Sequence, residues 1–343
     1  MATPLLSVFM PAYNAAVHVR EAVASVLDNG CADFELVVYD DGSTDGTADL
    51  VEAIGHPALR VLRQPRNEGV AVARARGIAH LRGQYLALLD ADDVALPGRF
   101  ERQLARLTAA GGPDILGGAV EFFGDAAGTL TYPASDAEIK ANLLFNASLA
   151  NPTVCMKLAP LREGRIAYDA QPGAVAEDYA LWADALCAGL RFENLPQPLT
   201  RYRRHAASAT AALPFSAFGR RNIEIRRRVA AHHFPGLAVE TREALVDILS
   251  HRIGVGERWM AGVFAMARAA ALAPAVPGIA PAHLIALLDE HLLRTLRHAI
   301  EHDRLDNDTL EWMTETNADF ERWRMADGGA LDARIVALFT PAA

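Results

Sequence analysis

The five residues Tyr85-Leu86-Ala87-Leu88-Leu89 run directly into Asp90-Ala91-Asp92-Asp93. A short apolar run that stops at a carboxylate cluster reads as a buried strand whose end opens onto a ligand or solvent. The same pattern occurs twice upstream. Residues 5–10 are an apolar run ending in Pro11-Ala12-Tyr13-Asn14, and residues 34–39 are another ending in Asp40-Asp41-Gly42-Ser43-Thr44-Asp45. Helical spacing covers 15–27, 46–54 and 68–81, with a further strand at 59–62. Strands alternating with helices on short connections predict an α/β fold, a mostly parallel sheet with helices on both faces. Right-handed crossovers put the C-terminal ends of the strands on one edge, where such sheets bind ligands. The three polar clusters are therefore expected to converge.

Past residue 119 the alternation loosens. After a strand at 114–119 the pattern suggests a hairpin over 122–132, a helix over 136–145 and a strand over 153–157. A helix at 177–187 and extended pieces at 192–195 and 199–203 follow. From about Phe215 onward everything is helical in pattern, over 219–232, 240–251, 258–271, 282–301, 309–323 and 331–338. This predicts a first domain over 1–212 and an all-helical C-terminal domain over 213–343, used for acceptor binding or oligomerisation.

The 343 residues carry 33 Lys+Arg against 42 Asp+Glu, a net charge of −9, which argues against a protein that coats nucleic acid. The hydrophobic share of 51% excludes a disordered chain. Cys31, Cys155 and Cys187 are odd in number and far apart, so neither a disulfide framework nor a structural zinc site is expected, and a reducing cytoplasmic setting is. The first residues lack a basic n-region and read as a strand, not a signal peptide. Residues 269–288 hold no Asp, Glu, Lys or Arg, yet Pro274, Pro277, Gly278 and Pro281 interrupt them. Two helices joined by a Pro-rich linker fit better than a membrane span. The basic run Arg220, Arg221, Arg226, Arg227 and Arg228 reads as a solvated helix face; the alternative is peripheral contact with an anionic membrane surface or an acceptor phosphate.

The clusters carry distinct chemistry. Alternate carboxylates at Asp90, Asp92 and Asp93 repel one another unless a cation relieves them. Such hard ligands suit Mg²⁺ or Mn²⁺ held together with phosphate oxygens; the plainer alternative is an acidic turn. Turn and cap preferences explain Gly42 to Asp45 but not the adjacent Asp40 and Asp41, which could accept from a nucleobase ring N–H or a ribose hydroxyl. Arg74 falls on the early turns of its helix, where a cation could face a diphosphate, whereas Arg76 reads as a surface residue. Glu177 and Asp178 open a helix, where acidic residues are ordinary. The same dipole would keep Asp178 ionised, as a general base must be. His205, after Arg201-Tyr202-Arg203-Arg204, reads alone as a surface histidine and, beside Asp92 and Asp90, as a candidate metal ligand.

Four ordered blocks resemble inverting family 2 glycosyltransferases of the GT-A fold. They are Val8-Phe9-Met10-Pro11-Ala12-Tyr13-Asn14, then Val38-Tyr39-Asp40-Asp41-Gly42-Ser43-Thr44-Asp45-Gly46-Thr47, then Asn67-Glu68-Gly69-Val70-Ala71-Val72-Ala73-Arg74, and finally Gly83 through Asp93. Looser matches follow at Asn151-Pro152-Thr153-Val154, Glu177-Asp178 and Tyr202 through Ser208. The chain departs from the family pattern at Arg76, often Asn, and at Asn151, often His. The resemblance implies that Pro11, Ala12, Tyr13, Asn14 and Asp40 surround the base of a nucleotide and that Asp41 supports the loop. Asp90 and Ala91 would lie on the ribose side, Asp92 on a divalent metal, and Asp178 would be the catalytic base with Glu177 beside it. It implies a metal-dependent transfer from a nucleotide-diphosphate sugar, with UDP favoured, to a saccharide, lipid-linked or peptide acceptor in bacterial surface polysaccharide or glycoconjugate synthesis.

Three rivals come from other classes. Asp90-Ala91-Asp92-Asp93-Val94 fits the nucleophile loop of haloacid-dehalogenase-type phosphatases, but it begins at residue 90 and no Gly-Asp-x-x-x-Asp block follows. A non-catalytic glycosyltransferase-like assembly subunit would not need Asp90, Asp92 and Asp178 together. A dinucleotide oxidoreductase lacks its Gly-x-Gly-x-x-Gly after the first strand.

Overall fold

Strand β1 (Leu6–Ala12) is buried on both faces, and its two sets of side chains explain the layers around it. The computed structural model describes residues 3–171, 173–205, 215–250, 257–301, 318–325 and 328–339. Leu6, Val8, Met10 and Ala12 of β1 join Leu36 and Val38 of β2 (Phe34–Asp40) in one core. Over that face lie α1 (Val19–Leu27), α2 (Thr47–Glu52) and α4 (Arg99–Thr108), through Val19, Val23, Val26, Val51, Phe100, Leu104 and Leu107. The opposite face carries Phe9 and Tyr39 and is covered by α3 (Val70–Ile78). There Gly77 is required by contact: a Cβ at that position would sit 2.3 Å from the Phe9 ring and 2.9 Å from Tyr39.

The strands run in the order β3 (Leu59–Arg63), β2, β1, β4 (Tyr85–Leu88), β8 (Cys155–Lys157), β6 (Ile115–Gly124), β9 (Phe192–Arg204) and β5 (Val94–Ala95), with β7 (Gly128–Leu130) paired to β6. The first four are parallel throughout, as the alternation of elements predicts. The far half is mixed: β8 is antiparallel to β4 and β6, β5 to β9 and β7 to β6, while β6 and β9 are parallel. The segments expected at 114–119 and 122–132 are one long β6 that turns into β7. The two extended pieces expected at 192–195 and 199–203 are one strand. Its register against β6 shifts near Ala119, opposite Pro196 and Pro198, whose missing N–H groups cannot continue the ladder. Helix α4 is absent from the sequence reading, although Phe100, Leu104 and Leu107 repeat at helical spacing.

Between these strands lie α5 (Asp136–Asn142), α6 (Ala159–Arg162) and α7 (Glu177–Cys187). The chain divides into two compact units, one of residues 1–139 with 147–218 and one of 140–146 with 219–343. The second unit is helical among its described residues. Its helices are α8 (Phe215–His233), α9 (Val239–Leu249), α10 (Glu257–Leu272), α11 (Pro281–Glu301), α12 (Ala318–Arg324) and α13 (Ala330–Phe339). Trp259, Val263, Met266, Leu284, Leu288 and Leu292 are buried in it. The charge-free stretch is α10 and α11 joined by a 3₁₀ turn at Ala273–Ala275, and no helix among the described residues is long and apolar enough to cross a membrane. The basic run is not a bare solvated face. Arg226 donates to the Phe145 carbonyl and to Ser250 Oγ, and Arg227 pairs with Glu243. The boundary expected near 211–214, residues 206–208 of the last family block and residues 309–317 of an expected helix lie outside the described residues.

Candidate active site

β1, β2 and β4 end on one edge. Asp40 stands opposite Ala12 in the ladder, the Asp41 N–H donates to the Ala12 carbonyl at 2.8 Å, and the Leu89 N–H donates to Phe9. The three polar clusters thus meet as the order of elements implies. The first two are stitched together through their own loops. Asn14, at φ +48°, receives the Thr44 N–H on its side-chain oxygen and donates its backbone N–H to Ser43 Oγ. Asn is among the few residues that adopt this left-handed conformation readily. Ala15 and Ala16 donate to Thr47 Oγ1 and Asp45 Oδ2. The Asp41 carboxylate accepts from the backbone N–H groups of Glu68 and Gly69, fixing the start of α3.

Asp40 is different. Its Oδ2 accepts the Ser43 N–H at 3.2 Å, while its Oδ1 is buried with no hydrogen-bond partner. A buried carboxylate oxygen without a donor is costly. Such an oxygen is a candidate acceptor for a ligand N–H, and Tyr13, one residue past the ladder partner Ala12, is 48% exposed.

Behind the edge lies a clamp built on Arg74. The sequence places this cation toward a diphosphate; the structure instead leaves it 4% exposed, one Nη bonded to Glu177 and the other to Asp90 Oδ1 at 2.8 Å. With the Asn151 amide oxygen turned to the guanidinium, it accepts from the same two nitrogens at 2.7 and 3.1 Å. Burial opposes the Arg74 charge, but Asp90 and Glu177 outweigh it and raise its pKa. Asp90 is accordingly held as a counter-ion by Arg74, and its own pKa is raised, by burial first, against the pull of Arg74.

Helix α7 presents Asp178. It starts from Ala176, whose φ of +51° is unusual for a residue with a Cβ and turns the chain sharply into Glu177 and Asp178. Asp178 is half-buried and accepts the Tyr179 N–H at 2.7 Å. Burial, and then the charge of Glu177, push its pKa up to about 6, against Arg74. The helix dipole favours the ionised form, but burial outweighs it, and the carboxylate is poised nearer neutrality than a surface aspartate.

The expected metal set is only partly drawn together. Asp92 Oδ2 and His205 Nε2 lie 2.9 Å apart, but Asp90 is turned to Arg74. Among the described residues no three His, Cys, Asp or Glu side chains are grouped to hold a metal ion. One carboxylate and one imidazole still form a donor set that suits Mn²⁺ or Mg²⁺ whose remaining positions are filled by phosphate oxygens. Arg203 braces the pair, its Nε donating to the Asp92 carbonyl and its N–H to Asp93 Oδ1. Asp93 is buried, and burial followed by the charges of Asp90 and Asp92 pushes its pKa up to about 9.

Beneath the cluster sits a group that the sequence reading passed over. Arg99 is fully buried and bonds to neutral acceptors: Gln103 Oε1, Thr200 Oγ1 and the Leu88 carbonyl. Its spacing from Gln103, one helical turn among apolar neighbours, is the signal that could have found it.

Comparison with known proteins bears on the family and the fold. A model of the glycosyl transferase family 2 matches residues 7–151. The succinoglycan biosynthesis protein ExoO of Rhizobium meliloti is 33% identical over 205 residues, covering 55% of this chain and 57% of that protein. The putative teichuronic acid biosynthesis glycosyltransferase TuaG of Bacillus subtilis is 38% identical over 103 residues, 29% of this chain and 41% of that protein. This chain thus spans about half the length of these relatives. The crystal structure of S. aureus TarS 1–349 with UDP-GlcNAc shares the fold at a TM-score of 0.58 and 18% identity, covering 94% of this chain and 92% of that one.

Proposed function

We propose that the chain, whose residues 7–151 match a model of the glycosyl transferase family 2, moves a sugar, with inversion, from a nucleoside-diphosphate sugar to an acceptor hydroxyl. The observations that support this reading concern two separate carboxylates, one at the strand edge and one at the start of α7. Asp40 has a buried oxygen lacking a donor, and Asp178 has a pKa near 6 set by burial and Glu177. Asp40 takes the ring N–H of the base, with Tyr13 against its face. Asp92 and His205 would hold a divalent cation, which would supply positive charge at the departing diphosphate. Asp178 removes the acceptor proton as the acceptor oxygen bonds to the anomeric carbon, and the bond from that carbon to the diphosphate oxygen breaks on the opposite face. The Arg74 clamp holds Glu177 and Asp90 still while charge moves.

We favour a UDP-sugar donor, since TarS, which shares the fold, has been solved with UDP-GlcNAc and with UDP. Surface polysaccharide or glycoconjugate synthesis is the setting suggested by the names of ExoO and TuaG. The helical region after residue 212 serves acceptor binding or self-association in this reading. The test is a panel of UDP-, GDP-, ADP- and dTDP-sugars with Mn²⁺, read as slow release of the nucleotide. Release from one nucleotide class is the expected result. Turnover of p-nitrophenyl phosphate with no nucleotide-sugar hydrolysis would instead favour a phosphatase built on Asp90.

A further inference from the structure

Arg201, Arg203 and His205 alternate along the end of β9 and the residue after it, so they leave the chain on one side. Arg201 and Arg203 both stack on the Phe123 ring of β6, their guanidinium carbons 4.4 and 4.2 Å from its centroid. This end of the strand is fixed from β6 as well. The Asp125 N–H donates to the Arg204 carbonyl at 2.8 Å. Gly124, at φ +84°, is required there, since a Cβ would stand 2.6 Å from the same oxygen.

Arg203 ties the Asp92 turn to this fixed strand. Inside the turn, the Asp93 N–H donates to the Asp90 carbonyl at 3.1 Å. From β9, Arg203 Nε donates to the Asp92 carbonyl and the Arg203 N–H to Asp93 Oδ1, both at 2.8 Å. The first is a charge-assisted bond from a side chain only 15% exposed, a stronger hold than a neutral bond. The other arm of the guanidinium pairs with Glu21, in the first turn of α1. His18, at the start of the same helix, has its ring 5.3 Å from that of His205. One side chain thus joins α1, β6 and the Asp92 turn around the Asp92–His205 pair. The Glu21 side chain is 55% exposed, and an ion pair with so open a partner adds little to stability. Charge explains its place better: a guanidinium beside a cation site repels the cation unless a carboxylate neutralises it.

We propose that Arg203 is a positioning residue for the divalent cation, holding the Asp92 main chain against β9 so that Asp92 and His205 face one ion, with Glu21 cancelling its charge. The proposal rests on the cation reading above and extends it to two residues outside the donor set. Groups that orient metal ligands typically change metal affinity by about 10–100-fold when they are removed.

The test titrates Mn²⁺ into the full chain saturated with UDP and follows the free ion by EPR. Arg203→Met keeps a stem over Phe123 and should weaken Mn²⁺ about 10–100-fold. Arg203→Lys should recover little of that, because a point charge cannot serve Glu21 and the Asp92 carbonyl from one plane. Glu21→Gln, a change at an exposed position, should weaken Mn²⁺ about 2–5-fold, and less at high salt. UDP affinity without metal, by calorimetry, should stay within about twofold in every variant, which separates lost position from lost fold. Native Mn²⁺ affinity in Arg203→Met or in Glu21→Gln overturns the proposal. So does an equal loss of metal-free UDP affinity, or full recovery in Arg203→Lys. Asp92→Ala keeps the two readings apart. Mn²⁺ binding unchanged by it removes the cation site and the proposal with it, whereas binding lost there but native in Arg203→Met overturns the proposal alone.

Discussion

Asp178 shows how a residue's neighbours set its use. Asp178→Asn keeps the shape and the helix start but removes the base, so turnover should fall about 10²–10⁴-fold. Nucleotide affinity by calorimetry should stay within a factor of two or so, because no nucleotide contact is lost. A collapse of that affinity would reassign the residue. The second expectation concerns pH. Burial and Glu177 raise the carboxyl to about 6, and only the ionised form can take a proton. Activity should therefore be level above about pH 7 and fall about tenfold per unit well below 6. A kcat/KM profile flat down to pH 5 would contradict the assignment. Asp40 and Asp41 make the complementary point: adjacent and alike in sequence, one accepts from two backbone N–H groups and the other keeps an oxygen unmatched.

At the scale of elements, contact between layers decides what each helix tolerates. Gly77 in α3 rests on the Phe9 ring, with no room for a Cβ at 2.3 Å. Gly77→Ala should destabilise by about 1–3 kcal/mol through overpacking, outweighing the ~1 kcal/mol gain in helix propensity. A raised midpoint in urea would show that α3 can shift away. Helix α4 carries Arg99, whose guanidinium ties β4 and β9 to Gln103. Removing it in Arg99→Ala leaves a cavity and several buried acceptors without donors, a loss of more than about 3 kcal/mol. Arg99→Lys should lose less, since it keeps the charge but not the planar fork. Equal stability of the Ala variant and the native chain in denaturant titration would remove Arg99 from its structural role.

For the whole molecule, ligand linkage is the simplest check. UDP with Mn²⁺ at 100 times its dissociation constant should stabilise the folded chain by about 2.7 kcal/mol, read as a rise in Tm; no rise at saturation would mean that the edge does not bind the nucleotide. The sequence by itself determined the parallel half of the sheet, the common edge and the identity of its carboxylates. Apolar period, strand ends and crossover handedness are local or nearly local properties, and β1, β2 and β4 carry them plainly. The antiparallel β8, the merged β6 and the bent β9 were decided by pairing between segments far apart in the chain, with prolines in β9 shifting the register. Tertiary structure alone turned Arg74 from a presumed phosphate contact into a buried clamp and lifted Asp178 toward neutrality. Both outcomes depend on burial and on charges about a hundred residues distant, as in the Arg74–Glu177 bond, and no sequence period encodes either.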